Sequence, residues 1–233
     1  MKRTKPNDLD KHVEPFILAA LLECASREDY VSLMKTDVME HLSTLVADDL
    51  LAFTDKDPAA KSDPIFILKT YTSFSAVLHY RISHWIHKAN TAVGASRVDD
   101  SLPGLLSRRG KMLSGAEIHF GSEIGERFVL DHGYGTVIGE TSVIGDDCYI
   151  LGGVTLGARG ICGNPHASRH PLVGHRVQIG AFTSVLGRIQ IGNDVFIGPN
   201  CIVTQDIPDG FKVKVKSSIQ MISPECRKEN THV

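Results

Sequence analysis

The sequence has no run of about 18 apolar residues, and so it predicts no membrane-spanning helix. Its formal net charge at pH 7 is only −2, a balance that indicates no nucleic-acid partner. The P-loop and dinucleotide-binding motifs are missing, and so is the Gly-x-Ser-x-Gly motif of many serine hydrolases. These absences exclude several large classes of enzyme and leave the chemistry to other features of the chain.

The cysteines give no sign of a disulfide framework. They are odd in number and irregularly spaced: Cys24, Cys148, Cys162, Cys201 and Cys226. We interpret them as reduced thiols of a cytoplasmic protein, in which Cys148 and Cys201 act as small buried residues. Polar residues rather than an apolar stretch follow the charged start Met-Lys-Arg-Thr-Lys, so this segment predicts no signal peptide.

An aliphatic residue recurs every six positions in the second half of the chain. The series is Val173, Ile179, Val185, Ile191, Ile197 and Val203, and four residues behind it run Val177, Thr183, Ile189, Val195, Cys201 and Ile207. A step of six matches neither the helical period of about 3.6 nor the strand period of 2. It is typical of a hexapeptide-repeat β-helix, in which two residues of each hexad point inward and fill the prism.

The same step of six continues upstream and is interrupted twice. It is kept by Ile118, Ile124 and Leu130, and again by Ile138, Ile144, Ile150 and Leu156. Leu130 and Ile138 are eight residues apart, which predicts a two-residue bulge at 131–137. Leu156 and Val173 are seventeen apart, which predicts a loop of about eleven residues near 157–169. Because the coil is a scaffold, we expect the functional residues at these interruptions.

The first part of the chain has helical periodicity instead. Apolar residues at steps of three and four predict helices over 8–26, 28–53, 65–92 and 101–112. We therefore predict an α+β protein: an N-terminal α-helical domain at 1–113, a β-helix at 114–210 with an extruded loop at 157–169, and a C-terminal tail at 211–233. The helical domain could mate with copies of itself or could simply cap the first coil.

Two groups of polar residues lie at the interruptions. His132 is in the predicted bulge, fifteen residues after Glu117, and one coil is eighteen residues, so the two fall on neighbouring coils. A carboxylate beside an imidazole suits a general base, and a surface histidine with an acidic neighbour is the alternative. Arg169 and His170 close the loop and could hold a substrate carboxylate, or they could only tie the loop to the prism.

The histidines also raise the question of a metal. Cys162, His166, His170 and His175 lie in or beside the loop, and the spacing of His132, His170 and His175 resembles that of prism-shaped carbonic anhydrases. Such a site needs three imidazoles that converge on one ion. Histidine-rich loops seldom converge in this way, and so we predict no metal.

Several short motifs resemble those of the serine O-acetyltransferases, hexapeptide-repeat enzymes of cysteine biosynthesis. They are Asp57-Pro58-Ala59, Tyr80-Arg81-Ile82-Ser83-His84-Trp85, Glu117-Ile118-His119, Leu130-Asp131-His132-Gly133, Val137-Ile138-Gly139-Glu140-Thr141, Gly153-Val154-Thr155-Leu156-Gly157 and Arg169-His170-Pro171. The resemblance runs from about residue 57 to 208. It implies a left-handed coil and acetylation of L-serine by acetyl-CoA, without a metal.

The resemblance also implies roles for individual residues. His132 matches the general base and Glu117 its acidic partner. The residues that match those gripping the amino acid are Asp57, Asp131, Arg169 and His170. The residues expected along the CoA are Gly157, Gly180, Ala181, Gly198, Lys212 and Lys214. Family sites lie between neighbouring prisms, which implies a homotrimer or a dimer of trimers.

Three departures from the family pattern keep alternatives open. The loop at 158–168 is longer, a short insertion lies near 69–74, and the segment after Pro208 carries Lys212, Lys214 and Lys216 where the family has a Gly-Val-Pro-Ala segment. These lysines could face the CoA phosphates or form a solvated edge strand. The acceptor could be homoserine or another metabolite. The chain could also be a regulatory partner that binds O-acetylserine sulfhydrylase through the C-terminus at Val233, or a metal-dependent enzyme.

Overall fold

The computed structural model describes residues 8–92, 98–160 and 168–216. Six α-helices come first: α1 (Asp8–Cys24), α2 (Arg27–Leu33), α3 (Val38–Lys56), α4 (Pro64–Thr70), α5 (Thr72–Thr91) and α6 (Leu102–Ser114). A short 3-10 helix, Pro58–Ala60, links α3 to α4. Within these ranges no helix has the length and apolar character needed to cross a membrane.

The predicted helices over 28–53 and 65–92 are each divided in two. Between α2 and α3 the Thr36 hydroxyl accepts a hydrogen bond from Val38 N at 3.3 Å, so a side chain takes the place of a helical carbonyl. Between α4 and α5, Tyr71 is extended, with φ −88° and ψ 111°. Apolar periodicity continues through both breaks, which is why the pattern alone predicts single helices.

Fourteen short strands lie in the described residues of the second part. They are β1 (Glu117–Ile118), β2 (Glu123–Ile124), β3 (Val129–Asp131), β4 (Val137–Ile138), β5 (Val143–Ile144), β6 (Tyr149–Leu151), β7 (Thr155–Gly157), β8 (Leu172–Val173), β9 (Gln178–Ile179), β10 (Ser184–Leu186), β11 (Gln190–Ile191), β12 (Phe196–Ile197), β13 (Ile202–Val203) and β14 (Lys212–Val213). All pair in parallel within three sheets: sheet A (β1-β4-β7-β10-β13), sheet B (β2-β5-β8-β11) and sheet C (β3-β6-β9-β12-β14). This parallel solenoid confirms the predicted fold and is consistent with a left-handed β-helix of hexapeptide repeats.

The strand register confirms the two-residue bulge. Asp131 pairs with Leu151 and Val137 pairs with Thr155, so one coil uses six positions where the next uses four. The extra residues leave the sheet at the corner between β3 and β4. The hydrogen-bonded ladder on either side keeps its alignment.

The register confirms the longer excursion in the same way. Ile138 pairs with Leu156 and Val143 pairs with Leu172, so five positions in one coil correspond to sixteen in the next. Eleven additional residues therefore leave the prism between β7 and β8. Residues 161–167 of this loop, which include Cys162 and His166, lie outside the described residues.

Both predicted series of inward residues are buried. The series from Val173 to Val203 and its companions from Val177 to Ile207 all have less than a tenth of their surface exposed. Apart from the buried polar Thr183, they form one apolar core inside the prism, and Ala76, Val77 and Tyr80 of α5 extend that core into the helices. The helices have a second core of their own.

One arginine links the helices to the first coil. Arg81 of α5 donates to the carbonyl oxygens of Ile124 and Gly125, each at 2.6 Å, and is itself buried. Phe128 N donates to Asp49 Oδ1 of α3 at 2.8 Å. These bonds fix α3 and α5 against the coil that leads into the bulge.

Candidate active site

The bulge forms a tight corner, residues 131–136, which we call the His132 corner. Gly133 N donates to Asp131 O at 2.7 Å, Tyr134 N to His132 O at 2.8 Å, and Thr136 N to Gly133 O at 2.9 Å. His132 has a φ of 60°, a left-handed conformation that is uncommon for a residue with a side chain. Its side chain is 81% exposed. The corner therefore presents the imidazole outward from the prism.

Asp131 lies beside this imidazole and is held by a tyrosine. His132 Nδ1 is 3.7 Å from Asp131 Oδ1, within ion-pair range but longer than a hydrogen bond. Tyr149, on the neighbouring strand β6, donates its hydroxyl to Asp131 Oδ2 at 2.6 Å. The Asp131 side chain is mostly buried. Its carboxylate is thus fixed on one side and faces the imidazole on the other.

Asp57 has a similar arrangement at the end of α3. Its Oδ1 accepts from Ala59 N at 2.8 Å, and its Oδ2 accepts the Tyr71 hydroxyl at 2.8 Å. The hydrogen bond to Asp57 raises the pKa of Tyr71, and burial raises that of Tyr149, with smaller contributions from the charges of Asp131 and Asp57 respectively. Tyr71 and Tyr149 both pack against the helical core, so their carboxylate partners lie on the same side of the fold. We call the four residues Asp57, Tyr71, Asp131 and Tyr149 the carboxylate–phenol cluster.

Arg169 and His170 lie at another corner, where sheet A passes to sheet B. Arg169 Nη2 donates to Glu140 Oε2 at 2.6 Å. The Thr141 hydroxyl accepts from Arg169 N at 2.9 Å and from His170 N at 3.2 Å. We call this the Arg169 corner, made of residues 139–141, Arg169 and His170.

The His170 imidazole is neutral and fixed in orientation. Its Nδ1 accepts a hydrogen bond from Thr141 N at 3.1 Å, which leaves the ring hydrogen on Nε2. The ring lies so close to Gly139 that a Cβ there would be 2.2 Å from Nε2, so only glycine fits. Burial lowers the pKa of His170, and the Arg169 guanidinium lowers it further. The hydrogen bond from Arg169 likewise holds the pKa of Glu140 below its usual range.

Glu117 lies next to the His132 corner through its backbone. Its N donates to Thr136 O at 2.8 Å. Its carboxylate forms an ion pair with Lys111 of α6. Among the described residues no hydrogen bond or ion pair joins Glu117 to His132, so the protomer places the two on adjacent segments without a direct contact between their side chains.

The residues expected along CoA fall into two places. Gly180, Ala181 and Gly198 follow β9 and β12 at the same corner of the prism as His132. A Cβ on Gly198 would lie 3.6 Å from Lys214 Cγ, so the Lys214 side chain packs beside Gly198 at this corner. Lys212 is exposed on β14, the last strand of sheet C. Gly157 stands apart, because it ends β7 in sheet A, next to the Arg169 corner.

Sequence reasoning missed Tyr71 and Tyr149. Tyr149 is at an outward position of a hexad, and outward positions have no required residue type. Tyr71 falls in the segment near 69–74 that departs from the family pattern, which was the one available signal. No group of three or more His, Cys, Asp or Glu residues able to hold a metal occurs in the part of the chain that the structure describes.

The two corners do not meet within one chain. In the described ranges no hydrogen bond or ion pair joins His132 to Arg169 or His170, and a strand of sheet A separates the corners. One corner offers a base and carboxylates. The other offers a guanidinium and an imidazole N–H. Together they could bind an amino acid by its ammonium and carboxylate and remove a proton from its side chain.

Comparison with known proteins identifies the repeat and the family of the chain. Residues 170–205 match the family described as Bacterial transferase hexapeptide (six repeats). Fold and repeat define the chain as a hexapeptide-repeat transferase. It is 40% identical over 170 residues to the serine acetyltransferase of Synechococcus elongatus, covering 73% of this chain and 64% of that protein. With the Helicobacter pylori serine acetyltransferase it shares 42% identity over 155 residues, or 66% of this chain and 84% of that protein.

Solved structures are similar along most of the chain. Entamoeba histolytica serine acetyltransferase isoform 3 in complex with cysteine has a TM-score of 0.72 at 33% identity, over 93% of this chain and 73% of that one. Neisseria gonorrhoeae serine acetyltransferase in complex with serine has a TM-score of 0.70 at 30% identity, over 89% of this chain and 83% of that one. The chain belongs to the serine acetyltransferase family.

Proposed function

We propose that the protein transfers the acetyl group of acetyl-CoA to the hydroxyl of L-serine and forms O-acetylserine. The observation that carries this proposal is the division of the polar residues into two complementary corners, each with the groups needed for one part of an amino acid. The serine and cysteine complexes of its relatives support serine as the acceptor.

His132 acts as the general base in this proposal. The imidazole removes the proton of the serine hydroxyl, and the oxygen attacks the thioester carbonyl carbon of acetyl-CoA. The tetrahedral intermediate then collapses, the C–S bond breaks, and the imidazolium returns its proton to the CoA sulfur. Because Nδ1 faces Asp131, we assign the proton transfer to Nε2. Glu117 supports the imidazole electrostatically from the adjacent segment.

Asp57 and Asp131 bind the serine ammonium, while Arg169 and His170 bind its carboxylate. His170 suits this role because its neutral ring carries hydrogen on Nε2. In the free protomer Glu140 engages the Arg169 guanidinium, and the substrate carboxylate takes over part of that interaction. Gly180, Ala181, Gly198, Lys212 and Lys214 line the path of CoA along the prism, with Gly157 at the far corner.

The complete site forms between two copies of the chain. Large apolar side chains are exposed along the His132 corner and the adjoining face of sheet A: Tyr134 is 78% exposed, Phe182 69% and Ile202 77%. Burial of these residues against a second prism would bring the His132 corner of one copy to the Arg169 corner of the next. A homotrimer or a dimer of trimers satisfies this arrangement, with the helical part as a further contact.

An acceptor panel tests the activity. Purified protein is given acetyl-CoA with L-serine, L-homoserine or L-threonine, and release of the CoA thiol is measured. We expect L-serine to have the highest kcat/KM. A preference of more than about tenfold for another acceptor would overturn serine as the substrate while leaving the chemistry intact. Absence of thiol release with every acceptor would overturn the acetyltransferase proposal itself.

The proposed docking of O-acetylserine sulfhydrylase involves the C-terminus at Val233, outside the described residues. A pull-down with and without the last few residues tests it, and unchanged binding by the shortened chain would reject it.

A further inference from the structure

The two carboxylates of the proposed acceptor site each receive a phenol hydroxyl. Tyr71 donates to Asp57 Oδ2 at 2.8 Å, and Tyr149 donates to Asp131 Oδ2 at 2.6 Å. In the proposed reaction the carboxylates bind the serine ammonium, and the tyrosines touch neither the substrate nor the reacting atoms. Two such pairs in one cluster suggest a shared role.

Both phenols remain protonated donors at neutral pH. The hydrogen bond to Asp57 raises the pKa of Tyr71, and burial raises it further. Burial raises the pKa of Tyr149, and its hydrogen bond to Asp131 raises it further. The phenols therefore cannot serve as bases or carry charge, and what they contribute is direction: each fixes the plane of the carboxylate that accepts from it.

The tyrosines come from different parts of the fold and are held firmly there. The ring of Tyr71 packs edge to face against Phe53, with centroids 5.4 Å apart, and against Phe66 at 6.0 Å. Tyr149 stands on β6 and packs against the helical core. The helices thus orient one carboxylate and the prism orients the other. The relative placement of Asp57 and Asp131 depends on both supports.

Each carboxylate keeps acceptor capacity for a ligand. Among the described residues Asp131 Oδ1 accepts no hydrogen bond; its contact with His132 Nδ1, at 3.7 Å, is an ion-pair distance. Asp57 Oδ1 accepts from Ala59 N, and a carboxylate oxygen has two lone pairs. An ammonium has three N–H donors, so two carboxylates fixed at set angles match it better than two mobile ones.

We propose that Tyr71 and Tyr149 are positioning residues that hold Asp57 and Asp131 for the α-ammonium of the acceptor, and that they thereby favour an amino acid over a hydroxy acid without the amine. This inference rests on the proposed function. It adds two residues that do not touch the reacting atoms but set the recognition of the substrate.

The first test removes each hydroxyl and keeps the ring. For Tyr149→Phe and Tyr71→Phe we expect the KM for L-serine to rise about tenfold, as for one lost hydrogen bond to a charged group. The KM for acetyl-CoA should stay within about twofold in both variants, because the thioester site is untouched. For Tyr71→Phe the kcat should stay within about twofold as well, since the Tyr71 hydroxyl bonds to Asp57 and not to the carboxylate beside His132. With 3-hydroxypropionate, which lacks the amine, kcat/KM should not change, so the preference for serine should fall by the same factor.

The second test asks whether each tyrosine acts through its own carboxylate. Tyr149→Phe combined with Asp131→Asn should raise KM no further than Asp131→Asn alone, whereas Tyr149→Phe combined with Asp57→Asn should multiply the two effects. Tyr71→Phe should show the reverse pattern. Multiplicative effects in the directly bonded pairs would overturn the positioning role, because they would mean that the tyrosine acts independently.

Two other tyrosines provide controls. Tyr80→Phe removes a buried hydroxyl of α5 that donates to Ser122 O at 2.8 Å. Tyr30→Phe removes the hydroxyl of a tyrosine on α2. Both should keep the serine KM, even where Tyr80→Phe lowers the melting temperature. If the wild type is active and both Tyr71→Phe and Tyr149→Phe keep its serine KM, this inference alone is overturned. Wild type that acetylates no amino acid would overturn the proposed function and this inference together.

Discussion

Asp49 and Arg81 form a buried ion pair between α3 and α5, with Nε to Oδ2 at 2.8 Å and Nη2 to Oδ1 at 3.0 Å. Loss of one partner leaves a charge and several backbone groups unpaired away from water. We expect Arg81→Met to lower the free energy of unfolding by about 3–5 kcal/mol. Urea unfolding measures the change.

An exposed pair on the prism serves as the comparison. Arg176 contacts Asp194 with more than half of each side chain exposed, and Arg176→Met should leave the stability unchanged within error. If both variants lower the free energy of unfolding equally, the buried Asp49–Arg81 pair contributes no more to stability than an exposed ion pair.

His132→Ala tests the base. We expect kcat to fall by about 10²–10⁴ with the fold intact, since a general base contributes on that scale. Steady-state thiol release gives kcat, and circular dichroism with a thermal melt checks the fold. Because the side chain is largely exposed, the melting temperature should not change. A variant with near-normal turnover would remove His132 from the chemistry.

Glu117→Gln should lower kcat less than His132→Ala. The glutamate supports the imidazole electrostatically but does not transfer the proton to the product. Lys111 engages the carboxylate in the free protomer, and Lys111→Met provides a matched change that removes this partner. A loss with Glu117→Gln as large as that with His132→Ala would contradict the supporting role.

Arg169→Lys should raise the KM for the acceptor without a comparable change in kcat. Lysine keeps the charge but cannot form the two-pronged contact that a guanidinium makes with a carboxylate. Arg188→Lys is the comparison, because Arg188 donates to the backbone oxygens of Thr141 and His170, at 3.2 Å and 3.3 Å, and has no part in the proposed carboxylate contact. An unchanged serine KM in Arg169→Lys would show that the carboxylate binds elsewhere.

The free energy of unfolding should decrease as the pH drops below about 6.5. Burial lowers the pKa of His79, whose Nδ1 donates to Ser75 O at 2.7 Å and whose Nε2 is buried without a hydrogen-bond partner among the described residues. Below the ordinary histidine pKa the unfolded chain binds a proton that the folded chain does not, so acid favours unfolding.

His79→Leu isolates this contribution. Urea unfolding between pH 5.5 and 7.5 should show a smaller decrease in the variant, by at most about 1.4 kcal/mol per pH unit. Burial also lowers the pKa of His84 and His119, so part of the dependence should remain. Identical pH dependence in the two proteins would exclude His79 as a source.

The sequence predicts the prism well because its core obeys a strict period. Two inward residues per hexad, and the lengths of both interruptions, follow from counting positions between aliphatic residues. The helix breaks at Thr36 and Tyr71 do not follow, because a side-chain hydroxyl or one extended residue ends a helix without disturbing its apolar spacing. Hydrophobic periodicity reports the buried face and leaves local hydrogen bonding unspecified.

The candidate site was only partly predictable for a related reason. His132, Arg169 and His170 stand at interruptions, which spacing reveals. Tyr71 and Tyr149 contribute through outward contacts between segments that meet only after the coil is wound. The extra residues of the bulge place Asp131 opposite Leu151, so spacing alone gives no reason to pair Asp131 with Tyr149.

Both excursions leave and rejoin the solenoid between strands that remain aligned. Changes in the length of either segment therefore need not propagate along the stack, because each rung is secured by its own neighbours above and below. On such a scaffold the corner at residues 131–136 and the loop at 157–169 can each be replaced by the corresponding segment of a relative without a change in the strands. Acceptor preference can then change in this family while the β-helix stays the same.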